Sequence, residues 1–258
     1  MNYDVVGIGN PLVDILITAD EAFIKRHGLI KGGMRLVSND KLGQILAEST
    51  EKKMASGGST ANILNALARL DISCCLIGRI GNDEMGRFFT THIKNNGVSS
   101  GLIIGEGATG MVVSLITKDL DRTFATYLGV AQEITTEDLK SRESAFRHSK
   151  IVHIEGYLVS NREVVLSVME MAKRSGARIS FDMASFNVVE ENRDFFHELI
   201  DKYVDILFAN EEEARAFIAK GPEDALDEIS SMVEIAIVKM GERGSLVKKG
   251  NEFHQIGA

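Results

Sequence analysis

The sequence predicts an α/β fold in which a mostly parallel central sheet is flanked by helices, with a small β-sheet beside it. Short apolar runs recur along the chain, each bounded by glycine or polar residues, as is typical of buried strands. Helical patterns with one apolar face lie between the runs, and strands that alternate with helices form parallel sheets covered on both faces. The runs are residues 3–9, 74–77, 151–154, 179–181, 204–208 and 235–238.

Capping signals mark two of the predicted helices. Ser59 and Thr60 precede an apolar helical face and are candidates for its N-cap. Ser160 and Glu163 have the spacing of a capping box ahead of another helical pattern, and Gly176 can end that helix. These signals predict where both helices begin and where one of them ends.

Two stretches depart from this alternation. Residues 34–37 predict a brief strand, and residues 111–128 predict an antiparallel hairpin with a polar turn. An antiparallel piece within a parallel pattern indicates a flap beside the main sheet. We therefore expect a single α/β domain over residues 1–258 whose small β-lid is formed from three segments: 12–18, 34–38 and 109–128.

Composition and charge narrow the class of protein. The 258 residues are 44% hydrophobic and 26% charged, which is typical of a folded chain rather than a disordered one. The formal net charge is −8, so we expect no nucleic-acid partner. No apolar run approaches the ~18 residues that span a membrane, so we expect no membrane partner. Cys74 and Cys75 are the only cysteines, and this adjacent pair predicts two buried strand residues in a cytoplasmic protein.

The first apolar run leads into two candidate ligand-binding side chains. Residues 7–14 begin like a dinucleotide-binding fingerprint, but Leu12 stands where the third glycine is needed, which excludes that motif. Asn10 and Asp14 follow the predicted strand, and open α/β sheets bind ligands at the carboxyl ends of their strands. Both side chains can accept hydrogen bonds from a polyol. In the structural alternative, Asn10 is only a turn residue and Asp14 is a carboxylate in contact with solvent.

A glycine pair precedes the helical pattern that follows. Gly57 and Gly58 would let a ligand approach the backbone at a helix N-terminus, which favours anionic and polar groups. Asn62 falls in the first turn, where its amide could face that ligand. No Gly-Lys-Ser/Thr follows, so the loop is not a Walker A motif. The alternative is a glycine loop that only makes a sharp turn.

Three later segments each allow a structural and a functional interpretation. Acidic residues 211–213 follow an apolar strand, and in the structural interpretation they stabilise the first turn of a helix through its dipole. In the functional interpretation, Glu213 helps to hold a hydrated Mg²⁺. The glycines of residues 239–245 either turn a hairpin or let the chain pass close to a nucleotide. Arg122, after the hairpin turn, either pairs with a substrate or stays in solvent.

Taken together and in this order, these segments resemble the ribokinase-like (PfkB) family of carbohydrate and nucleoside kinases, and within it the adenosine kinases. The resemblance is carried by residues 9–14, 57–62, 78–86, 109–110, 203–208 and 210–213. It implies an ATP- and Mg²⁺-dependent enzyme that phosphorylates a hydroxymethyl group of a nucleoside or sugar, with adenosine as the best single candidate. The ribokinase-like fold, a central α/β sheet with a β-lid, agrees with the elements predicted above.

The resemblance implies roles for particular side chains. The substrate-binding residues would be Asn10, Asp14, Gly58, Ser59, Asn62, Arg122 and Tyr157. Asp14 would bind the sugar hydroxyls, Tyr157 would stack on the base, and Arg122 would close near the phosphates. The apolar wall on the lid side would consist of Leu12, Leu36 and Phe124.

The resemblance also implies a nucleotide site. Asn210 and Glu213 match an Asn-x-x-Glu motif tied to Mg²⁺ and phosphate positioning, with Glu213 reaching the metal through water. Gly241 and Gly244 lie where the family binds ATP. The family's catalytic motif, Asp-Thr-x-Gly-Ala-Gly-Asp, is expected after the final strands. It is not among these residues, so the general base is expected beyond Ala258 and no catalytic residue is assigned.

Two other functions stay open. The first is a sugar kinase of the same family that acts on ribose, fructose or a similar sugar. A base needs an open aromatic slot near Tyr157 and Phe124, and a small sugar does not. The second is a catalytically inactive relative that binds the ligand. The assembly is expected to be a monomer or a homodimer through the lid.

Overall fold

Strands and helices alternate through the part of the chain that the computed structural model describes, residues 2–49 and 52–258. The strands are β1 (Val5–Ile8), β2 (Leu12–Thr18), β3 (Met34–Leu36), β4 (Lys53–Gly57), β5 (Cys74–Ile77), β6 (Arg79–Gly81), β7 (Val98–Ser100), β8 (Ile103–Gly105), β9 (Gly110–Ile116), β10 (Arg122–Tyr127), β11 (Ile151–Glu155), β12 (Arg178–Asp182), β13 (Ile206–Asn210), β14 (Ile235–Lys239), β15 (Ser245–Lys249) and β16 (Glu252–Ile256).

Helices occupy most of the segments between the longer strands. The α-helices are α1 (Glu21–Arg26), α2 (Asn39–Ala47), α3 (Ser59–Ala68), α4 (Glu84–Asn95), α5 (Thr136–Lys140), α6 (Glu143–Phe146), α7 (Arg162–Ser175), α8 (Phe186–Glu191), α9 (Arg193–Tyr203), α10 (Glu211–Ile218) and α11 (Pro222–Ile229). Short 3₁₀ helices lie at Gly129–Glu133, Gly156–Ser160 and Gly241–Arg243. Within the described ranges, no helix has both the length and the apolar character needed to cross a membrane.

The chain divides into two units, each with its own sheet and helices. The first contains residues 2–8, 72–75 and 135–258, and the second contains residues 9–49, 52–71 and 76–134. The expectation of a single domain with a lid concerns how these units work together, and it stays a prediction.

The first unit is built on a mostly parallel sheet, with the strand order β16-β15-β14-β13-β12-β11-β1-β5. Strands β1 and β11 to β14 pair in parallel, and β15 and β16 continue the sheet antiparallel. Helices α7, α10 and α11 pack on this sheet, and Phe181, Leu207 and Ala236 are fully buried in it. The predicted α/β class is confirmed, because strands buried on both faces require continuous apolar runs.

Four polar residues end the parallel strands of this unit at one edge of the sheet. Glu155, Asp182, Asn210 and Lys239 are the last residues of β11, β12, β13 and β14 respectively. Since these strands are parallel, their carboxyl ends lie on the same side. The edge therefore collects charged and amide groups from segments that are far apart in the sequence.

The second unit contains a five-stranded sheet with the order β3-β10-β9-β2-β4 and a two-stranded sheet, β6-β8. Strands β9 and β10 form the predicted antiparallel hairpin. Strand β2 pairs with β9 in parallel and with β4 antiparallel. One face of the larger sheet has an apolar centre, with Val13, Ile15, Val113 and Leu115 buried, and Ser56 and Thr123 lie on the same face. Strand β4 was not predicted, because its sequence Lys-Met-Ala-Ser-Gly has no alternating apolar pattern.

The N-termini of two helices correct the predicted caps. Helix α3 begins after Gly58, whose left-handed backbone (φ +90°) sets the helix start, so neither Ser59 nor Thr60 is its N-cap. Helix α7 begins after Asn161, whose side chain accepts a hydrogen bond from the third residue along. The capping box expected at Ser160 is therefore wrong, because that residue lies in the preceding 3₁₀ helix.

Asp83 closes a hydrogen-bonded clamp in the second unit. It caps α4 by accepting from the Gly86 N–H at 2.8 Å, and it accepts from the N–H (2.8 Å) and the hydroxyl (2.6 Å) of Thr109. The Thr109 hydroxyl oxygen accepts from the Gly81 N–H at 3.0 Å. Burial alone would raise the pKa of Asp83, but the bonds from Thr109 and Gly86 outweigh it and lower the pKa. The clamp thus fixes the start of β9, the neighbour of β2.

We expect Asp83→Ala to lower the free energy of unfolding by about 2–4 kcal/mol, because three hydrogen bonds to a charged acceptor are lost together. The lowered pKa means that the folded state favours ionised Asp83. The loss of unfolding free energy in Asp83→Ala should therefore be largest at neutral pH and become smaller as the pH falls and Asp83 is protonated. Urea unfolding measures it. Asp138→Ala is the control, since it removes part of the exposed capping box of α5 and should cost about 1 kcal/mol. Equal losses in both variants would contradict the clamp.

Candidate functional site

One face of the five-stranded sheet carries side chains that the sequence assigned to the acceptor. Residues paired directly across strands share a face, and so do residues two apart along a strand. Asp14 pairs with Val112 on β9, Val112 pairs with Thr126 on β10, and Thr126 pairs with Leu36 on β3. The face therefore also carries these predicted residues: Leu12, Arg122 and Phe124. The structure brings these side chains onto one surface, and their binding roles stay predictions.

Asp14 is a partly buried carboxyl group on this surface. Burial raises its pKa to about 6. Gly57 on β4 lies against it, and a Cβ added at Gly57 would overlap the carboxyl carbon and both oxygens of Asp14. A desolvated carboxylate gains most from new hydrogen-bond donors, so the position suits sugar hydroxyls. The sequence predicted that Gly57 lets a ligand approach the backbone, but it did not show the contact with Asp14, because that contact arises from the pairing of β2 with β4.

The loop before α3 places three further predicted residues together. Asn10 is buried, and a Cβ added at Gly58 would overlap its carbonyl oxygen. Ser59 opens α3 and is half-buried, whereas Asn62, one turn into the helix, is exposed. The glycine pair is thus required by close packing against β2 and the loop before it. Ligand binding by this loop stays a prediction.

Phe124 lies beside a cavity at the edge of the same sheet. The cavity has a volume of about 280 Å³ and is lined by Met34, Arg35, Thr123 and Phe124, together with the loop that precedes β3. Met34 pairs directly with Phe124 and is largely exposed. Arg122, two residues before Phe124, is exposed at the first position of β10. The lining is therefore mixed, because Met34 and Phe124 are apolar whereas Arg35 and Thr123 are polar.

The strand ends of the first unit form a second group of polar side chains, here named the strand-end cluster: Glu155, Asp182, Asn210, Glu213 and Lys239. Lys239 Nζ donates to Asp182 Oδ2 at 2.9 Å, and Asp182 Oδ1 accepts from the Ala184 N–H at 2.9 Å. Glu155 and Asp182 are buried. Sequence reasoning missed Glu155 and Asp182 as site residues, and it named Lys239 only as the first residue of the segment where the family binds ATP. The available signal was that each of these charged residues comes directly after an apolar run that predicts a strand.

Glu213 and Asn210 form a reciprocal capping box at the start of α10. Glu213 accepts from the N–H and the side-chain amide of Asn210, both at 2.7 Å, and its own N–H donates to Asn210 Oδ1 at 2.8 Å. Burial raises the pKa of Glu213 and the charge of Asp182 adds to it, while the Asn210 N–H and Lys239 oppose it. The motif thus has a complete structural account. A metal role through water stays a prediction.

Two uncharged rings lie near the strand-end cluster. Burial lowers the pKa of His153 to about 4, and its Nδ1 lies 2.9 Å from the Ser180 hydroxyl. Burial also raises the pKa of Tyr157, a hydrogen bond with Ser185 opposes this, and neighbouring carboxylates add to it. Tyr157 keeps 38% of its surface exposed on the 3₁₀ helix Gly156–Ser160. It can therefore offer an aromatic face to a ligand.

The two predicted nucleotide-site glycines differ in what the structure requires of them. Gly244 has a left-handed φ of +84°, and a Cβ there would overlap the carbonyl oxygen of Ile256, so packing of β16 requires it. Gly241 also has a left-handed φ, +55°, but faces open space. At Gly241, therefore, only the left-handed backbone favours glycine, and packing does not require it. Nucleotide binding by these glycines stays a prediction.

The sequence matches the family described as pfkB family carbohydrate kinase over residues 33–258. The chain belongs to this family. The predicted family is thereby confirmed. The predicted ribokinase-like fold is confirmed by the similarity to a solved structure. Adenosine kinase from Sinorhizobium meliloti superposes with a TM-score of 0.90 at 30% identity, over 100% of this chain and 80% of that chain.

The curated relatives include proteins named as sugar kinases and proteins named as nucleoside kinases. 5-Dehydro-2-deoxygluconokinase of Geobacillus thermodenitrificans (strain NG80-2) is 26% identical over 214 residues, 76% of this chain and 64% of the relative. Guanosine-inosine kinase of Escherichia coli (strain K12) is 25% identical over 256 residues, 93% of this chain and 58% of the relative. The chain therefore spans about three fifths of the length of these relatives.

The donor atoms of the strand-end cluster suit a hydrated Mg²⁺. Carboxylate and amide oxygens from Asp182, Asn210 and Glu213 are ligands that Mg²⁺ accepts, usually with several of its waters retained. Both oxygens of Glu213 already accept hydrogen bonds from Asn210. Among the described residues, no group of three His, Cys, Asp or Glu side chains forms a closed metal site. The cluster thus fits a metal held mainly through water and phosphate.

Proposed function

We propose that this protein transfers the γ-phosphoryl group of ATP to a hydroxymethyl group of a nucleoside or sugar. The observation that carries the proposal is the partly buried carboxyl group of Asp14 on a sheet face that is otherwise apolar around it. A carboxylate there accepts from neighbouring sugar hydroxyls, while Leu12, Leu36 and Phe124 bury the rest of the acceptor. Membership of the pfkB family supports the reaction type.

A nucleoside is the favoured acceptor class, with adenosine as the first candidate. In the second unit, the cavity of about 280 Å³ beside Phe124 has room for a planar base. In the first unit, Tyr157 has an exposed aromatic face, and the proposed role of that face is to stack on a base. A small sugar would leave this wall in contact with water. The second candidate is a sugar kinase, which the similarity to 5-dehydro-2-deoxygluconokinase supports.

The nucleotide would bind with Mg²⁺, and the strand-end cluster supplies residues for both. Glu213 would hold the metal through water, with Asn210 beside it. When bound, Mg²⁺ would neutralise charge on the phosphate oxygens. Gly241 and Gly244 lie in the turn after β14, where the family resemblance expects ATP. Arg122, in the second unit, is the cation that the resemblance assigns to the phosphates. Closure over the acceptor would exclude water and so limit ATP hydrolysis.

An ADP-release assay tests the proposal on protein expressed from the complete reading frame. We expect turnover with adenosine at a higher kcat/KM than with guanosine, ribose or fructose. Faster turnover of a sugar would assign the sugar kinase instead. Binding of adenosine in calorimetry with no ATP turnover would assign the inactive ligand-binding relative. No binding and no turnover of any compound would overturn the proposal.

Assembly and location stay predictions. The exposed edge strand β3 could serve either a monomer or a homodimer through the predicted lid. Light scattering on the purified protein would distinguish the two. A cytoplasmic location is what we expect for an enzyme that uses ATP.

A further inference from the structure

Hydrophobic burial does little to hold strand β4 in place, although β4 carries the glycine that lies against Asp14. It is at the edge of its sheet, where β2 is its neighbour, and its large apolar side chain, Met54, is 42% exposed. The register of a small, polar strand is weakly specified by burial. A slip that brought Ser56 to the place of Gly57 would put a Cβ where the Asp14 carboxyl group lies. The close fit of β4 against Asp14 therefore needs another source of register.

Ser56 on β4 is the centre of a polar network that reaches α3 and α4. Ser56 is buried, on the face of the sheet opposite the Asp14 carboxyl group. Its hydroxyl lies 2.8 Å from His92 Nδ1 on α4, and it accepts from Asn65 Nδ2 on α3 at 3.2 Å. Asn96 Nδ2, at the end of α4, donates to Asn65 Oδ1 at 3.3 Å. These four residues, here named the Ser56 network, tie β4 to both helices.

The donors around His92 Nδ1 decide how this ring is protonated. The backbone nitrogen of Ser56 and Asn96 Nδ2 each lie 3.4 Å from Nδ1, and amide nitrogens only donate. Nδ1 is therefore an acceptor, which makes His92 a neutral imidazole with its proton on Nε2. The Ser56 hydroxyl then donates to Nδ1 while it accepts from Asn65. One hydrogen bond on each side thus fixes the Ser56 side chain.

The ring of His92 is held by packing and so offers a fixed acceptor to β4. It stacks on Phe88, one turn earlier in α4, with the ring centroids 5.6 Å apart. A side chain whose rotamer is fixed by packing holds its hydrogen-bond partner in place. Ser56 directly precedes Gly57, so a fixed Ser56 also fixes how closely Gly57 lies against Asp14. His92 and Asp14 are therefore linked through two adjacent residues of β4.

We propose that His92 is a positioning residue for the acceptor site: through Ser56 it holds Gly57 against Asp14, and so sets where the Asp14 carboxylate meets the acceptor hydroxyls. This inference rests on the proposed kinase function. The alternative is that the Ser56 network only stabilises the packing of α3 and α4 on β4. Both roles predict a less stable protein when His92 is replaced. They differ at Asp14, because only the positioning role changes the surroundings and the binding of that carboxyl group.

The pKa of Asp14 tests the first step without any ligand. Burial raises this pKa to about 6, so it should fall when β4 moves away and water reaches the carboxyl group. NMR titration of the Asp14 carboxyl carbon measures it in the protein used for the kinase assay. His92→Leu should lower the pKa towards its ordinary value of 3.8, whereas His92→Asn should keep it at about 6, because the asparagine oxygen replaces Nδ1 as acceptor. A pKa that stays at about 6 in His92→Leu would overturn the proposal.

Calorimetric titration with adenosine tests the second step. His92→Leu should raise the Kd of adenosine by at least about 10-fold, and His92→Asn should keep it within about 3-fold. The Kd of MgADP should be unchanged in both. In an Asp14→Asn background the carboxylate to be positioned is gone, so His92→Leu should there change the Kd of adenosine by less than about 2-fold. Equal losses in the two backgrounds would show that the network does not act through Asp14 and would overturn the proposal.

His197→Leu is the matched control for the loss of a half-buried histidine. His197 lies on α9, and its ring stacks on Phe217 with the centroids 4.2 Å apart, much as the His92 ring stacks on its own phenylalanine. The variant should also lower the free energy of unfolding, but it should leave the pKa of Asp14 and the Kd of adenosine unchanged. Wild-type adenosine affinity in His92→Leu would overturn this inference and leave the kinase proposal standing. A wild-type protein that binds no compound of the kinase assay would overturn both.

Discussion

Replacing Asp14 with asparagine is expected to stabilise the fold at neutral pH while it weakens acceptor binding by about 100-fold. Burial raises the pKa of Asp14 from 3.8 to about 6. The ionised side chain is therefore less stable in the folded than in the unfolded chain, by on the order of 3 kcal/mol. Asparagine removes this cost. It also replaces a carboxylate that accepts at two oxygens with an amide that accepts at one, which weakens binding of hydroxyl groups.

The stabilisation should follow the ionisation of Asp14. The unfolded chain ionises near pH 4 and the folded protein near pH 6, so the cost of burying the charge is absent below that interval. It grows through the interval and is complete above it. Thermal or urea unfolding of wild type and Asp14→Asn across these pH values measures the difference. Adenosine affinity of the wild type should rise through the same interval, because the carboxylate forms there.

Asp201→Asn controls for the loss of one negative charge. Asp201 is exposed on α9, so its replacement should change stability by less than about 0.5 kcal/mol and leave adenosine affinity unchanged. A destabilised Asp14→Asn protein that still binds adenosine normally would show that Asp14 has a structural role. The joint gain in stability and loss of binding is what distinguishes a binding residue from a structural one.

The parallel sheet could be predicted because its strands are buried on both faces. The runs at 151–154 and 235–238 lie within β11 and β14, and the run at 74–77 is β5 itself. The end of α7 at Gly176 was also predictable, since its left-handed φ of +77° favours glycine. Strand β4 was not, because its residues are polar or small and their strand pairing depends on β2.

The candidate site was predictable only in part. Asn10 and Asp14 were found because they follow the first strand, a position visible in the sequence. The contact of Gly57 with Asp14 was not visible, since two strands must first pair to create it. The ion pair of Lys239 with Asp182 joins residues 57 positions apart, and only the strand order brings their ends together.

Replacing Gly57 with alanine is expected to displace the Asp14 carboxyl group and to lower adenosine affinity by about 100-fold. The added Cβ would overlap the carboxyl carbon and both oxygens of Asp14. Gly57 is not in the left-handed region, so alanine fits the β4 backbone and the strain falls on the Asp14 side chain. Misplacement of a binding group by ~1 Å is enough for a loss of this size. Calorimetric titration with adenosine measures it.

Three further variants identify the contact with Asp14 as the cause. Gly43→Ala in α2 adds a Cβ in open space and should leave adenosine affinity unchanged. Gly58→Ala should instead destabilise the fold, because its φ is left-handed and its Cβ would overlap the Asn10 carbonyl oxygen. In an Asp14→Ala background no carboxyl group remains to be displaced, so Gly57→Ala should cost no stability there. If it costs the same in both backgrounds, Gly57 does not set the position of Asp14.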